Sequence, residues 1–290
     1  MKRIVALFLA VALCVGFTGC AKEKEEKEKE VIGKKEKIIA VSILPQKNFV
    51  EEVCGDNFEV VTMIPPGASP ETYEPTPPEM KSLEQASVYF SMGVPSEQNY
   101  ILPNIKSGTE VVDLHKLVAR SHQELDINGE RDPHIWLSPK RVMAMVSIIA
   151  ETLGGIDSEK AELYNENALN YIEKLSQLEQ EVSSMFAQKK NRDFIVFHPS
   201  FGYLADDYGL NMYALEEHGK EATAKGLAQM TDFAKQKRIK TIFYQAENSG
   251  KQALAFAEEI GGKAVSLNPL AENYITNFKS MAQAISDSLS

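Results

Sequence analysis

The stretch DSEKAELYNENALNYIEKLSQLEQEVSSMFAQK, residues 157–189, decides the fold. It is rich in charge and contains neither glycine nor proline along its whole length. Its apolar residues recur at helical spacing, at Leu163, Tyr164, Ala168, Tyr171, Ile172, Leu175, Leu178 and Val182. The pattern predicts one helix over residues 157–190, about 45–50 Å long at 1.5 Å per residue.

Strands and helices alternate on both sides of this helix. The predicted strands are short and apolar, at residues 37–43, 57–63, 87–93, 193–197, 240–244 and 263–267. A further helix is predicted from Ser138 to the Gly154-Gly155 pair. Such alternation is typical of parallel βαβ units. We therefore expect an α/β fold of two lobes with parallel sheets, residues 37–156 and 191–290, joined by the long helix. A single continuous sheet is the alternative.

The first 36 residues differ in composition from the rest. A basic start and an apolar run end in Phe17-Thr18-Gly19-Cys20, which resembles a bacterial lipobox. We expect residues 1–19 to be a lipoprotein signal peptide and Cys20 to carry the lipid. Residues 20–36 are highly charged and predict a solvated tether. An ordinary secretory signal with a chance cysteine is the alternative.

The overall composition narrows the class of protein. Apolar residues make up 43% and charged residues 25% of the chain, which indicates a globular body rather than a multispan membrane protein. The formal net charge of −10 argues against nucleic acid as a partner, because phosphate binding needs a basic surface. An acidic body of this kind is compatible with cation binding.

Two of the five histidines lie in unusual surroundings. His134 stands in RDPHIWLSPK, just before a predicted helix, and His198 stands in FIVFHPSFGYLADDYG, directly after a predicted strand. Ligands of open α/β sheets bind beyond the carboxyl ends of strands, so His198 is well placed to face a crevice. The remaining histidines, His115, His122 and His218, are interpreted as structural, rim or solvated residues.

Four motifs occur in order along the chain: PPGASPETYEPTP, DPHIWLSP, VFHPSFGYLADDYG and SLNPLAENY. They resemble the motifs of the zinc- and manganese-binding solute-binding proteins of bacterial ABC importers. The resemblance covers essentially the whole mature chain. It implies two α/β lobes bridged by a rigid helix, with one metal ion in the cleft between them. The implied ligands, one from each motif, are Glu71, His134, His198 and Asn268.

Two of these positions depart from the family pattern. Glu71 stands where histidine is usual, and Asn268 stands where an acidic residue is usual. Gln245 occupies a further place open to a carboxylate in relatives. Two imidazoles and one carboxylate are a recognised zinc set, and carboxylate and amide oxygens also suit manganese or iron(II). We expect Zn²⁺ as the ligand, with Mn²⁺ or Fe²⁺ as alternatives.

The resemblance implies a monomeric lipoprotein, anchored to the outer face of the cell membrane, that delivers its metal to an ABC import permease. The alternatives are a relative that has lost its metal, an adhesion-type surface lipoprotein, and a zinc hydrolase. The sequence contains no HExxH motif and no nucleophile elbow, and nothing singles out Glu74 or Glu247 as a catalytic base. We therefore expect a binding protein, not an enzyme.

Overall fold

The computed structural model describes residues 38–105, 108–127, 129–216, 222–247 and 250–289. The predicted signal peptide, the predicted lipidation site Cys20 and the charged tether lie outside these residues, and so does His218. Within the described residues, the strands form two four-stranded parallel sheets, β1–β4 and β7–β10, and one short antiparallel pair, β5 (Asp126–Ile127) with β6 (Glu130–Arg131). No helix in this part of the chain combines the length and the apolarity that a membrane crossing requires.

The first sheet has the order β2-β1-β3-β4, with all strands parallel. Its strands are β1 (Ile38–Val41), β2 (Glu59–Thr62), β3 (Val88–Ser91) and β4 (Glu110–Asp113). The accompanying helices are α1 (Leu44–Cys54), α2 (Pro77–Gln85) and α3 (Leu114–Val118). The central strands β1 and β3 are buried along their whole length, which explains why they read as continuous apolar runs.

The second sheet has the order β10-β9-β7-β8, again with all strands parallel. Its strands are β7 (Asp193–Val196), β8 (Asn211–Ala214), β9 (Thr241–Gln245) and β10 (Lys263–Leu267). Its helices are α6 (Gly202–Tyr208), α7 (Ala224–Lys237), α8 (Lys251–Glu259) and α9 (Tyr274–Ser288). The predicted fold of two α/β lobes is therefore confirmed, and the single continuous sheet is wrong.

Two long helices connect the sheets. Helix α4 (Pro139–Ile156) runs through the Gly154-Gly155 pair, where we expected it to stop. A Cβ atom at Gly154 would lie 3.2 Å from that of Ala161, so this glycine permits close packing of the next helix. Helix α5 (Ala161–Ala187) has 27 residues and is thus about 40 Å long. It is shorter than predicted because Ser158–Lys160 forms a 3₁₀ turn before it.

Helix α5 packs one apolar stripe against elements of both halves. The buried residues of this stripe are Tyr164, Ala168, Tyr171, Leu175, Leu178, Val182 and Phe186. The hydroxyl of Tyr171 donates to Asn48 of α1 at 3.0 Å, and Ser286 of α9 donates to the carbonyl of Met185 at 3.4 Å. The N-terminal half of the long helix is thus tied to the first half of the chain, and its C-terminal end is tied to the second half.

A buried polar cluster joins α4 to α6 beside the ends of the strands. Ser138 caps α4 by accepting from the backbone N–H of Arg141, and its hydroxyl donates to Asp207 at 2.6 Å. The guanidinium of Arg141 also contacts Asp207 at 3.0 Å and lies 4.4 Å from the ring centre of Tyr203. The hydroxyl of Tyr203 donates to the carbonyl of Asp132 at 3.3 Å. These contacts fix the segment that carries His134 against the second half of the chain.

Candidate metal site

Glu71, His134 and His198 converge from three separate segments. Each offers one ligand atom, and these three atoms lie within 4.8 Å of one another. The Oε1 atom of Glu71 is 2.8 Å from Nε2 of His198 and 4.0 Å from Nε2 of His134. The two imidazole rings are buried, at 4% and 8% exposure, with ring centres 5.3 Å apart. The structure therefore brings together three of the four residues that the motifs indicated.

The loop after β2 holds the backbone of Glu71 in place. Tyr73 donates its backbone N–H to the carbonyl of Ser69 at 3.0 Å, and Glu71 donates its own to the Ser69 hydroxyl at 3.3 Å. The carbonyl of Pro70 accepts from Ser96 at 3.0 Å, which ties the loop to the segment after β3. Helix α2 then begins with the capping box of Thr76 and Glu79. Glu71 is therefore presented from a fixed turn.

Asp132 sets the orientation of His134. Its Oδ1 atom accepts from the backbone N–H of His134 at 2.9 Å and lies 2.8 Å from Nδ1 of the same residue. Asp132 is only 1% exposed, and its partner ring lies against Trp136, whose indole N–H donates to the carbonyl of Pro269 at 2.9 Å. A carboxylate on Nδ1 leaves Nε2 as the atom available to a metal ion.

Glu216 orients His198 as Asp132 orients His134. Its Oε2 atom is 2.6 Å from Nδ1 of His198, while Glu71 lies at Nε2 on the opposite side of the ring. Burial alone would lower the pKa of His198, but the hydrogen bonds and charges of Glu216 and Glu71 outweigh it and raise the pKa to about 9. Burial likewise acts to raise the pKa of Glu71, but the hydrogen bond from His198 and the histidine charges lower it. Without metal, His198 is thus an imidazolium between two carboxylates.

The three side chains separate two cavities, and they line both. The larger cavity, of about 410 Å³, is also lined by Gly93 and Arg131. The smaller cavity, of about 220 Å³, is also lined by Trp136, Glu216 and Gln245. An ion held by Glu71 and the two imidazoles would therefore be open to further donors from the protein or from water.

The structure does not bring Asn268 to this group. Asn268 is exposed, and its side-chain oxygen accepts from the backbone N–H of Leu270 at 3.1 Å, so that it closes a turn after β10. It is not among the described residues that line the two cavities. His115 is also elsewhere, 3.4 Å from Glu124 and 3.7 Å from Asp113.

Two carboxylates that contact the histidines, those of Asp132 and Glu216, were not predicted from the sequence. Asp132 stands two residues before His134, so its proximity was a signal that spacing alone could have given. Glu216 follows β8, which the sequence did not predict as a strand, and only the parallel pairing of β7 with β8 places it beside His198.

The chain matches the ZnuA family, described as zinc-uptake complex component A, periplasmic, over residues 39–288. It belongs to this family. The predicted resemblance to metal-binding solute-binding proteins of ABC importers is thereby confirmed.

Relatives of known name support the same assignment. The zinc-binding protein AdcA of Streptococcus pyogenes serotype M1 is 30% identical over 268 residues, which cover 83% of this chain and 52% of AdcA. The chain thus spans about half the length of this relative. The high-affinity zinc uptake system protein ZnuA of Bacillus subtilis strain 168 is 29% identical over 317 residues, covering 99% of this chain and 96% of ZnuA. A crystal structure of a ZnuA deletion mutant with zinc bound has a TM-score of 0.82 at 34% identity, covering 88% of this chain and 98% of that one.

Proposed function

We propose that this protein captures a divalent transition metal ion outside the cytoplasm and delivers it to the permease of an ABC importer. The observation that carries the proposal is the convergence of Nε2 of His134, Nε2 of His198 and Oε1 of Glu71, from three segments, on one point between two cavities. We also propose that residues 37–156 and 191–290 are the two lobes and that residues 157–190 are the bridge between them.

Zinc is the ion that the site supports best. Two imidazole nitrogens and one carboxylate oxygen are a common zinc set, and a further donor completes four-coordination. The names of the AdcA and ZnuA relatives also specify zinc. Glu71 supplies a carboxylate oxygen in place of an imidazole nitrogen, and oxygen donors favour harder metal ions. Mn²⁺ or Fe²⁺ is therefore the second candidate.

Metal capture exchanges the contact between Glu71 and His198 for contacts of both side chains with the ion. The residues around them stay in place. In the free site Glu71 contacts the protonated His198, so an incoming ion displaces the proton on Nε2 and takes its place beside Glu71. Asp132 and Glu216 keep both rings aligned through Nδ1 while the exchange takes place. Since α5 and the cluster at Arg141 join the two halves, we expect small loop and lobe shifts on binding rather than a wide hinge motion.

We also propose that the protein is anchored to the membrane by a lipid. A lipid on Cys20 and the tether of residues 20–36 would hold the monomeric binding body outside the membrane, near its permease. Cys20→Ala should yield soluble, folded protein that still binds metal. Firm retention of this variant in the membrane fraction would refute the anchor.

The decisive experiment compares His134→Ala and His198→Ala with His122→Ala, which removes a histidine remote from the cluster. Zinc affinity is measured by competition with a chromophoric chelator, and metal content by elemental analysis of protein purified without added metal. We expect one ion per chain in the wild type, and losses of several orders of magnitude only in the first two variants. Wild-type affinity in both would refute the site. We expect metal binding without turnover, which distinguishes capture from the hydrolase alternative.

A further inference from the structure

One segment of the second half of the chain is fastened to the first half. This strap consists of residues 269–274, which follow β10 and end at the first residue of α9. The carbonyl of Pro269 accepts from the indole N–H of Trp136 at 2.9 Å, and the hydroxyl of Tyr274 donates to the carbonyl of Trp136 at 2.8 Å. Both hydrogen bonds are buried. The strap is thus held from the inside by the segment that carries His134.

An ion pair holds the same strap from the outside. Nζ of Lys47, on α1, lies 2.9 Å from Oε1 of Glu272, which is exposed. This hydrogen bond raises the pKa of Lys47 more than burial lowers it. Lys47 also has a partner on its own helix, because its Nζ lies 3.5 Å from Oε1 of Glu51. Lys47 therefore keeps an anionic partner when Glu272 moves away, and the contact can open and close.

The strap borders the region in which the metal ligands meet. Pro269 and Leu270 line the smaller cavity, and the loop that carries Glu71 lines it from the first half of the chain. Glu71 and His134 belong to the first half and His198 to the second, so an ion bound by all three joins the halves. Release of such an ion is easier when the halves shift apart. A contact that holds the strap to the first half opposes that shift.

We propose that the Lys47–Glu272 ion pair is a latch between the two halves, which holds the strap in place and slows release of the captured ion. This inference rests on the proposed function. Since exposed ion pairs stabilise by little, the latch changes the rate of release by a small factor and does not decide whether the ion binds. An exposed pair is also screened by salt, so the latch weakens as the ionic strength rises.

The test measures the rate at which zinc leaves loaded protein after rapid mixing with a chromophoric chelator, at concentrations where the rate no longer depends on the chelator. Lys47→Met and Glu272→Gln should each release zinc about 2–5-fold faster than the wild type. These substitutions change the net charge in opposite directions, so long-range attraction of the ion does not explain an acceleration in both. The double variant should match the single variants, because all three lack the same contact.

Lys174→Met is the matched control. It changes the charge as Lys47→Met does and breaks an exposed 3.1 Å pair with Glu52, which also lies on α1, but this pair does not involve the strap. Its release rate should equal that of the wild type. Ionic strength gives a second readout, because a rise from about 0.05 M to about 1 M should remove most of the difference between the wild type and Lys47→Met. A structural effect of the substitution would persist in salt.

The outcomes distinguish the latch from the proposed function. Wild-type rates in both single variants, or rates that shift in opposite directions with the net charge, would overturn the latch and leave the metal site in place. An equal acceleration in Lys174→Met would overturn it as well, and so would a double variant whose acceleration is the product of the two single effects. If the wild type itself takes up no zinc, the proposed function fails and the latch fails with it.

Discussion

Zinc affinity should rise about 50-fold between pH 7 and pH 9, because the ion must displace a proton from His198. Glu216 and Glu71 raise the pKa of His198 to about 9, so the ring is almost fully protonated at neutral pH. Each pH unit below that pKa lowers the affinity about tenfold, or about 1.4 kcal/mol. The dependence should level off once the pH passes the pKa. The ring nitrogens have a carboxylate on each side, with 2.6 Å from Nδ1 to Glu216 and 2.8 Å from Nε2 to Glu71.

The assay is chelator competition at a series of pH values, corrected for protonation of the chelator. Calorimetry in buffers of different ionisation enthalpy counts the protons released, and we expect close to one from His198 near neutral pH. Glu216→Gln removes one of the two carboxylates, so the pH step should move to lower pH. Above the step this variant should bind about 10–100-fold more weakly than the wild type, because the ring loses its oriented partner. A flat affinity between pH 7 and pH 9 with no proton release would refute the reasoning.

The same contacts predict the opposite pH dependence for the stability of the metal-free protein. The pKa of His198 in the folded state, about 9, lies above the ordinary value of 6.5, so the contribution is fully present below pH 6.5 and is lost as the pH rises through about 9. The difference corresponds to about 3 kcal/mol. Urea unfolding of metal-free protein at both ends of this range, with His198→Ala as the control, measures it.

Three further predictions follow from particular contacts. Glu71→Gln should bind every divalent ion weakly, whereas Glu71→His should keep zinc and disfavour Mn²⁺, which paired titrations with both ions would test; equal behaviour of the two variants would contradict a ligand role. Glu97→Gln should lower the free energy of unfolding in urea by about 3 kcal/mol. The two oxygens of the buried Glu97 carboxylate accept from the backbone N–H groups of Met92 at 2.8 Å and Val94 at 3.0 Å. In the glutamine variant the amide N–H₂ group would face one of these donors in either orientation. Arg141→Met should cost about 3–5 kcal/mol by leaving Asp207 buried without its cation, whereas Lys174→Met, which breaks an exposed 3.1 Å pair with Glu52, should cost less than about 1 kcal/mol; equal effects would contradict the role given to the buried cluster.

The parts of the fold that the sequence predicted are those with strong periodicity. Strands β1 and β3 are buried on both faces and form apolar runs, and the stripe of α5 recurs at helical spacing. Strand β8 was missed because its residues are exposed or half-buried, as befits an edge strand without an apolar run. The start of α5 was placed too early because nothing in the composition distinguishes a 3₁₀ turn at Ser158–Lys160 from a first helical turn.

The residues of the candidate site likewise fall into those that the sequence predicted and those that it did not. Glu71, His134 and His198 were named from motifs, and the structure brings them together. The position of Asn268 came from its motif alone, and a motif does not say which way a side chain turns. The place of Glu216 depends on strand register, because it stands beside His198 only through the pairing of β7 with β8. Contacts between strands distant in sequence are not encoded in local pattern.

If the protein captures and delivers a metal ion as proposed, the charges of the free site account for uptake and release without a wide motion. In the metal-free state His198 is a cation held between Glu71 and Glu216, so Glu71 already has a positive partner at 2.8 Å. A divalent ion that displaces this proton raises the charge of the site by one rather than two, and it meets an anion that is already in place. The frame therefore needs little rearrangement, in keeping with the buried contacts that Arg141 and Tyr203 make between the two halves. Release can follow the reverse route, since any change that returns a proton to His198 restores the contact with Glu71 and weakens the hold on the metal.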